Sequence, residues 1–332
     1  MATMRDVAAR AGVSAKTVSR VFNHDPHVTA QTRQRVETAL RELNYVANSI
    51  PTTLRNGRAP VIGVAVPDIV DPFFAQVARA AELHAARQGM SVIIASLDSA
   101  DREPDVVQGM LRQALTGLII TPAGADHGYL RAWVDRIPVV FVDRPPVGVV
   151  ADTFLEDDLR GAHLATTHLV EHGHTRIAFI GDTLTIPTTR SRLAGYRAAL
   201  DDAGIAVDDG LIELGATDRS GAAAAFAALE RLDRRPTALF CTNSRAAIGL
   251  IPALRSSGLA VTTFGDFPLA HMLTPALTVV DQDPLRLGQL AAQRVSDRLA
   301  HPQRRYQRRT VLPVTLVERE SCRVTDRLPP AG

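Results

Sequence analysis

Cysteine is scarce in this chain, and its two copies lie far apart in the sequence. Cys241 and Cys322 are the only cysteines among 332 residues, and neither has the close spacing of a zinc-binding motif. Disulfide-rich extracellular scaffolds contain many more cysteines in far shorter chains. We therefore expect two free thiols in a reducing compartment.

Long apolar runs are also absent. The first residues lack the apolar core of a secretory signal peptide, and no stretch of about twenty apolar residues is long enough to span a bilayer. These absences favour a cytoplasmic protein. They disfavour a membrane protein and a secreted small-molecule-binding protein.

Signature motifs of common enzyme classes are missing as well. There is no G-x-G-x-x-G segment after a strand, no P-loop and no G-x-S-x-G turn. Four histidines stand close together around the segment H-L-V-E-H-G-H, at His163, His168, His172 and His174. We expect a helix that ends at Gly173 there, without a bound metal. The sequence thus predicts neither an enzyme nor a cofactor or metal.

Lysine occurs only once, at Lys16, and positive charge is unevenly distributed. Residues 1–58 contain eight arginines and this lysine against four carboxylates, a net charge of about +5. Because the whole chain carries +2, the remainder carries about −3. A basic N-terminal segment on a mildly acidic body fits a protein that binds phosphate groups with one end only.

Two short helices joined by a tight turn are predicted around this lysine. Residues 4–10 follow a helical pattern, and Gly12 is suited to the positive φ that ends a helix. Ser14 is suited to cap a second helix over 17–22, and a third helix is predicted over 30–43. This layout is a helix-turn-helix, whose second helix enters the major groove of DNA.

The motifs of this region occur in a fixed order without a gap. They are D-V-A-x-x-A-G-V-S, T-V-S-R-V-x-N and L-N-Y. Together they resemble the DNA-binding headpiece of the LacI/GalR family of transcriptional regulators. The resemblance implies a headpiece over 1–47, a hinge over 48–58 and a regulator that binds a palindromic operator in double-stranded DNA as a dimer.

Candidate DNA-binding residues follow from position on the second helix and from the resemblance. Ala15, Lys16 and Arg20 are expected to face bases, since lysine and arginine commonly bind guanine in the major groove. The other predicted DNA contacts, mostly to phosphates, are Arg5, Ser14, Thr17, Ser19, Asn23, His27, Thr29, Thr32, Tyr45 and Asn48.

The hinge carries a leucine and an unusual proline. In the family, a hinge helix inserts a leucine into the minor groove, and Leu54 matches that leucine by spacing; such apolar wedges kink the duplex. Pro51 stands where the family usually has alanine, and it disfavours the helical conformation of Ile50 before it. We predict a hinge helix that forms less readily and only on DNA. The alternative is an ordinary linker.

Beyond Arg58, unbroken apolar strands alternate with helices. The predicted strands are 61–66, 91–96, 117–121, 139–143, 176–181, 211–214 and 238–242, and the predicted helices are 73–88, 104–115, 127–136, 159–172, 190–203 and 220–232. This alternation predicts parallel sheets covered on both faces. Two such series in succession predict a bilobed α/β body with a cleft between its lobes, where ligands bind beside the carboxyl ends of strands.

The body also resembles the LacI/GalR family, whose effector domain is similar to a type I periplasmic binding protein. The matching stretches include I-G-V-A-V-P-D-I-V-D-P-F-F, V-V-F-V-D-R-P, S-R-L-A-G-Y and T-V-L-P-V-T-L-V-E-R-E-S-C. The implied effector-binding and dimerisation domain spans 59–322. Its lobe 1 is expected over about 59–157 and 282–310, its lobe 2 over about 158–281 and 311–322, and a tail over 323–332.

Polar residues at predicted strand ends, together with the resemblance, indicate a ligand site in the cleft. Carboxylates, amides and arginine are the groups that would recognise a sugar or a related polar metabolite. Arg192, in S-R-x-x-G-Y, is the strongest candidate to hold a ligand hydroxyl or carboxylate. The predicted effector-binding residues are Asp71, Phe73, Thr121, Asp143, Arg192, Asn243 and Asp266.

Two departures from the family pattern leave an alternative open. Asn243 and Ser244 stand where an Asn-Asp pair is usual. The segment after Gly258 is expected to lack most of the family's loop and strand, so that either Gly265 or Asp266 takes the place of a ligand-binding aspartate. The main prediction is a dimeric repressor controlled by a small polar effector. The alternatives are a DNA-binding regulator without effector response and, less favoured, a small-molecule-binding protein or an enzyme.

Overall fold

The computed structural model describes residues 4–22, 25, 27–43 and 61–322, and the chain divides into two compact units, Met1–Ala59 and Pro60–Gly332. Several residues of the headpiece and hinge predictions lie outside the described residues: Asn23, Tyr45, Asn48, Pro51 and Leu54.

The described part of the first unit is helical. Its helices are α1 (Met4–Ala11), α2 (Ala15–Phe22) and α3 (Ala30–Glu42). Val7, Val18 and Val36, one from each helix, are fully buried and form the centre of a small apolar core. Each helix buries one stripe of apolar side chains, which is the pattern that a three-helix head requires.

Polar groups fix the helix starts and the turn. Gly12 adopts a φ of 64°, which ends α1 as the sequence predicts. Arg35 of α3 donates to the carbonyl oxygen of Ala11 at 2.6 Å and so holds this turn against α3. The Ser14 and Thr29 hydroxyls accept from the backbone N–H groups three residues later and thereby cap α2 and α3.

The second unit alternates strands and helices along the chain. Its strands are β1 (Val61–Val66), β2 (Ser91–Ser96), β3 (Gly117–Ile120), β4 (Val139–Val142), β5 (Asp152–Glu156), β6 (Ile177–Ile180), β7 (Ile212–Glu213), β8 (Ala238–Cys241), β9 (Ala260–Phe264), β10 (Thr278–Asp281), β11 (Arg309–Leu312) and β12 (Thr315–Val317). Its α-helices are α4 (Pro72–Arg87), α5 (Glu103–Leu111), α6 (Arg131–Val134), α7 (Asp158–Glu171), α8 (Pro187–Asp202), α9 (Arg219–Glu230), α10 (Ser244–Ser257) and α11 (Pro284–Ala300). No helix in the described ranges combines the length and apolarity that a bilayer crossing needs.

The strands form two six-stranded sheets, one in each lobe. The sheet of lobe 1 has the order β11-β5-β4-β3-β1-β2, and the sheet of lobe 2 has the order β12-β10-β9-β8-β6-β7. Every pairing is parallel except that of β10 with β12, which is antiparallel. Each sheet is covered by helices and encloses apolar cores on both faces.

The chain crosses between the lobes at strand ends. The crossings follow β5, β10 and β11, and each one starts at the carboxyl end of a strand of one sheet and leads into an element of the other lobe. The carboxyl ends of both parallel sheets therefore meet at the junction of the lobes. Side chains at these ends are brought together there, as in other open α/β sheets.

The end of the chain differs from the sequence analysis. The segment after Gly258 does not lack its strand: residues 260–264 form β9, which pairs with β8 and β10 and is almost fully buried. That prediction was wrong. Three further strands, β10, β11 and β12, were not predicted, and β11 places residues up to 312 in the sheet of lobe 1.

Two predicted helices of lobe 1 are shorter than expected. The helix predicted over 104–115 ends at Leu111, before Ala114, whose φ of 54° is incompatible with a continuing helix. The helix predicted over 127–136 is a 3₁₀ turn over Gly128–Leu130 followed by the short α6. The strand β5 was also missed, because its sequence D-T-F-L-E begins and ends with acidic residues.

Candidate functional site

The second helix of the head presents one polar face and one apolar face. Ala15, Lys16 and Arg20 are exposed, whereas Val18 and Val21 are buried in the core of the head. The cap at Ser14 leaves the first turn of α2, with Lys16, at the protein surface. This is the arrangement by which a recognition helix presents its N-terminal residues to base edges.

Arg20 is held in place by an acidic residue that the sequence analysis did not single out. Its Nε donates to Oδ2 of Asp25 at 2.8 Å, and the other oxygen of Asp25 accepts from the backbone N–H of His27. The hydrogen bond from Arg20 lowers the pKa of Asp25. A guanidinium has five N–H donors, so this pair fixes the side chain and leaves donors for a base or phosphate.

The other described DNA-binding candidates are at least partly exposed on the head. Arg5, His27, Thr29 and Thr32 have exposed or half-exposed side chains, and Thr17 and Ser19 are half-buried on α2. The hydroxyl of Thr29 donates to that of Thr32 at 2.9 Å, next to the start of α3. Short hydroxyl side chains at helix starts are typical positioning contacts to DNA phosphates.

The body contains a cavity between the carboxyl ends of its two sheets. Its empty volume is about 510 Å³, which includes the open solvent at its mouth. Five of the seven predicted effector-binding residues line it: Asp71, Phe73, Asp143, Arg192 and Asn243. They come from both lobes, with Asp143 at the end of β4 and Asn243 at the end of β8.

Arg192 of α8 is buried at the base of this cavity. Its Nε donates to Asp158 at 2.7 Å, and one Nη donates to the carbonyl oxygen of Thr242 at 2.6 Å. Its guanidinium carbon lies 3.7 Å from the centre of the Phe264 ring. Its exposed fraction is only 7%, which distinguishes it from an ordinary surface arginine of a helix. These contacts fix the guanidinium group of Arg192 beside the space that a ligand would occupy.

A group of buried acids accompanies this cation. Burial raises the pKa of Asp143, of Glu156 and of Asp158, the last to about 6, while Arg192 opposes the shift at Asp158. Gln282, at the crossing after β10, donates to the carboxylate of Glu156. Asp143 lines the cavity together with Arg192, so a buried acid and a fixed positive charge are both present there.

Two of the predicted ligand residues also cap helices. Asp71 accepts from the backbone N–H of Phe73 at 2.9 Å, and Oδ1 of Asn243 accepts from the N–H of Ala246 at 2.7 Å. Because the Asn243 oxygen is used in this cap, its NH₂ group is the part that faces other partners. Both side chains are therefore fixed before any ligand binds, which lowers the entropic cost of binding.

The structure does not bring the remaining two candidates into this cavity. Thr121 follows β3 but is 1% exposed and lies outside the cavity lining. Asp266 lines a neighbouring pocket that shares Phe73 and Gln282 with the first one. It accepts two hydrogen bonds from Arg319, of 2.5 and 3.2 Å. Asp266 is thus tied to the C-terminal segment.

Several lining residues were missed by the sequence analysis. They include Arg144, Ile186, Thr188, Thr189, Arg245 and Gln282. Arg144 and Arg245 each stand one or two residues beyond a polar residue that was identified, and Arg245 donates to Asp182 at 3.3 Å. The rule that strand ends line the cleft would have found both. Gln282 follows β10, a strand that the analysis did not predict.

Comparison with known proteins agrees with this two-part architecture. Residues 3–48 match the family model "bacterial regulatory proteins, lacI family", and residues 166–322 match the model of a periplasmic binding protein-like domain. The chain is 32% identical to the ribose operon repressor of Escherichia coli (strain K12), over 97% of this chain and all of that protein. It is 31% identical to the HTH-type transcriptional repressor PurR of Vibrio atlanticus, over 90% of this chain and 92% of that protein.

Solved structures give the same result. The lac repressor dimer bound to operator and the anti-inducer ONPF superposes with a TM-score of 0.84 at 28% identity, over 97% of this chain and 99% of that one. A LacI family regulator from Enterococcus faecium with bound ribose superposes with a TM-score of 0.72 at 26% identity, over 80% of this chain and all of that one. The relatives are named as repressors, in agreement with the prediction of a regulator and not an enzyme. The chain belongs to the lacI family of bacterial regulatory proteins.

Proposed function

We propose that this protein is a dimeric transcriptional repressor that binds operator DNA through α2 and is controlled by a sugar in the interlobe cavity. The observation that carries the proposal is the cavity itself, built at the carboxyl ends of both sheets and lined by fixed carboxylates, a buried arginine and an aromatic ring. Such a regulator acts in the cytoplasm, where bacterial DNA lies.

The charges of the cavity favour a neutral polyol. Asp71, Asp143 and Asp182 face Arg144, Arg192 and Arg245, so carboxylates and guanidinium groups are present in equal number. Sugar hydroxyls donate to carboxylates and accept from guanidinium groups, and one face of Phe73 offers an apolar surface to ring carbons. Ribose is bound by one structural relative and cellobiose by another, CelR, which supports a sugar as the class of ligand.

Dimer formation is supported by an exposed apolar edge of lobe 1. β2 is an edge strand whose Ile93 and Ile94 are 36% and 43% exposed, and Leu83 of the adjacent α4 is 39% exposed. Edge strands with apolar side chains are unfavourable in contact with water and are normally covered. A second copy of the chain covering this edge would place two heads on one palindromic operator.

A regulator without effector response was the main alternative, and its main support was the segment after Gly258. Since β9 is complete and buried in the sheet, this support falls away. The cavity also keeps its arginine and its polar lining. We therefore favour a repressor that responds to a ligand.

The proposal is tested in two steps with the full-length protein. Selection from a random duplex library at physiological salt should enrich a palindrome, and Lys16→Ala should relax preference at one base pair by about 1–3 kcal/mol. Operator affinity is then measured by fluorescence anisotropy against pentoses, hexoses and disaccharides. One sugar should change wild-type affinity by roughly 5- to 150-fold.

Phe73→Ala separates the two functions. This variant removes an aromatic ring that lines the cavity while the head is unchanged, so it should bind the operator normally and lose the sugar response. Failure to enrich any sequence would contradict the DNA-binding part. An enriched operator whose affinity no sugar changes, together with a response to a carboxylate metabolite, would replace the sugar by an anion.

A further inference from the structure

Four histidines occur within twelve residues at the end of α7, and the structure gives them different partners. His163 pairs with Asp202 at 2.8 Å, and His174 bonds to the hydroxyl of Thr237 at 3.0 Å. His168 and His172 remain together, with ring centres 4.3 Å apart. Residues four apart on a helix lie on the same face, so both rings project from one side of the end of α7.

A carboxylate from another element completes this group. Glu318 follows directly after β12, which packs against α7. One ring nitrogen of His168, one of His172 and a carboxylate oxygen of Glu318 all lie within 4.8 Å of one another. Ligands of a tetrahedral zinc ion lie about 3.4 Å apart, given bonds of about 2.1 Å. Glu318 is exposed, so its side chain is free to rotate toward the two rings.

The hydrogen bond of His172 leaves one of its ring nitrogens available to a metal. Nδ1 of His172 lies 2.8 Å from the carbonyl oxygen of His168, which only accepts, so Nδ1 carries the proton and Nε2 carries the free lone pair. A backbone carbonyl that orients a ligating histidine in this way is a common feature of metal sites.

One ring nitrogen of His168 lacks a hydrogen-bond partner among the described residues. Its side chain is 6% exposed, and Nε2 is buried without a hydrogen-bond partner among the described residues. A buried polar atom without a partner is unfavourable and is rare in native proteins. A metal ion bound between the two rings would satisfy it.

We propose that His168, His172 and Glu318 bind one divalent transition-metal ion, for which Zn²⁺ is the best fit. Two imidazoles and one carboxylate are the ligand set that zinc accepts, and the fourth position stays open to water. The expectation from sequence, that no metal binds here, treated the four histidines as one group and did not include Glu318.

The ion would connect two parts of lobe 2 that are distant in sequence. The end of α7 leads into the start of β6, and residue 318 follows the antiparallel strand β12. The site therefore lies at the amino ends of the parallel strands, whereas the ligand cavity lies at their carboxyl ends. β12 is the strand that enters lobe 2 after the last crossing from lobe 1. A metal ion here would fasten this strand to α7, and binding would stabilise the folded protein by mass action.

The test uses untagged full-length protein freed of metal with EDTA and titrated with ZnCl₂. Wild type should bind one Zn²⁺ per chain and show a melting temperature that rises with zinc concentration. His172→Gln and Glu318→Gln change half-exposed and exposed side chains, so both should fold, and each should weaken Zn²⁺ binding by at least about tenfold. His163→Gln, on the same helix, is the matched control and should bind as wild type does.

Cobalt provides a second readout. Co²⁺ in place of Zn²⁺ should give the visible absorption of a tetrahedral site in wild type, and this absorption should be lost in His172→Gln. Wild-type protein that binds no zinc, or binding that His163→Gln weakens as much as His172→Gln does, would overturn the proposal. Unchanged zinc binding by Glu318→Gln would overturn the assignment of that carboxylate.

Discussion

Arg192 shows how much one buried side chain contributes at the centre of the body. It neutralises Asp158, bonds to the Thr242 carbonyl and covers the ring of Phe264. Arg192→Ala would leave the carboxylate of Asp158 buried without its partner, and breaking a buried pair in this way typically costs about 3–5 kcal/mol. We expect a loss of that order in the free energy of unfolding, measured by urea denaturation with circular dichroism.

The same helix supplies a control for this prediction. Arg190 is exposed and donates to the carbonyl oxygens of Leu184 and Thr185. Arg190→Ala should change stability by less than about 0.5 kcal/mol, as is usual for surface substitutions. Equal losses in the two variants would exclude the buried pair with Asp158 as the cause of the effect.

Glu156 gives a pH-dependent stability whose sign follows from its environment. Burial, followed by the nearby Asp143 and Asp158, raises the pKa of Glu156 well above 4.5, and its Oε1 has no hydrogen-bond partner within the described ranges. Between the pKa of the unfolded chain and the raised value, the folded state binds a proton that the unfolded state does not. The free energy of unfolding therefore falls as pH rises through this window.

Glu156→Gln removes this penalty and keeps an oxygen for the hydrogen bond from Gln282. We expect the variant to be more stable than wild type at pH 8, because glutamine carries no charge to bury. The difference should narrow as pH falls toward 4.5. Urea titrations followed by the fluorescence of Trp133, the only tryptophan, measure it in lobe 1. Glu171→Gln changes an exposed side chain and should leave the dependence of the unfolding free energy on pH as in wild type. If the curve of Glu156→Gln also ran parallel to that of wild type, the prediction would be contradicted.

At the scale of elements, replacing a helical glycine by alanine should lower the stability of the fold at one position and raise it at another. A Cβ at Gly195 of α8 would lie 2.1 Å from the carbonyl oxygen of Leu159 and 3.0 Å from Ala162, both on α7. The two helices pack closely at this point, and Gly195→Ala would force them apart. We expect a destabilisation of about 1–3 kcal/mol, the usual cost of overpacking.

Gly109 of α5 has no such constraint. A Cβ there would meet only the end of the Arg112 side chain, at 3.6 Å. Gly109→Ala should therefore stabilise the protein by about 0.5–1 kcal/mol, since alanine loses less conformational entropy in a helix. Thermal unfolding of both variants checks the pair. A loss of stability in Gly109→Ala similar to that in Gly195→Ala would exclude the close packing of α7 and α8 as the cause.

A strand could be predicted from the sequence where its burial requires a continuous run of apolar residues. β1, β3, β4, β6 and β8 are almost fully buried apolar runs, and the sequence analysis identified each of them. β5 was missed because its first and last residues are buried acids with distant partners. Asp152 pairs with Arg298 of α11 at 2.7 Å, 146 residues away, and no local pattern reveals such a neutralised charge.

A site residue could be predicted where the strand before it was predicted, and it was missed where that strand was missed. The rule of strand ends places Asp143 and Asn243 at the cavity, because the predicted strands before them are correct. Gln282 was missed because β10 was not predicted. Thr121 shows the limit of the rule, since a residue after a strand can be buried below the cleft instead of facing it. The metal-site candidates depend on Glu318, whose position relative to α7 is set by the fold of β12.

At the scale of the whole molecule, the proposed dimer rests on the exposed edge of lobe 1. Ile94 on β2 is 43% exposed and has Ile93 and Leu83 as exposed apolar neighbours in the same region. Ile94→Asp would place a charge in an interface that excludes water. We expect the variant to shift from dimer to monomer at micromolar concentration in sedimentation experiments, with little change in the stability of the fold.

Loss of the dimer should also weaken operator binding. When two heads are linked, binding of one gives the other a high effective concentration at its half of the palindrome. Losing that linkage typically lowers the affinity by about 10²–10⁴-fold without any change in the contacts of each head. The control is Val311→Asp on β11, at the other edge of the same sheet, where the valine is 46% exposed. Val311→Asp should remain dimeric and bind the operator normally. A dimer that survives Ile94→Asp with full affinity would place the interface on another surface of the body.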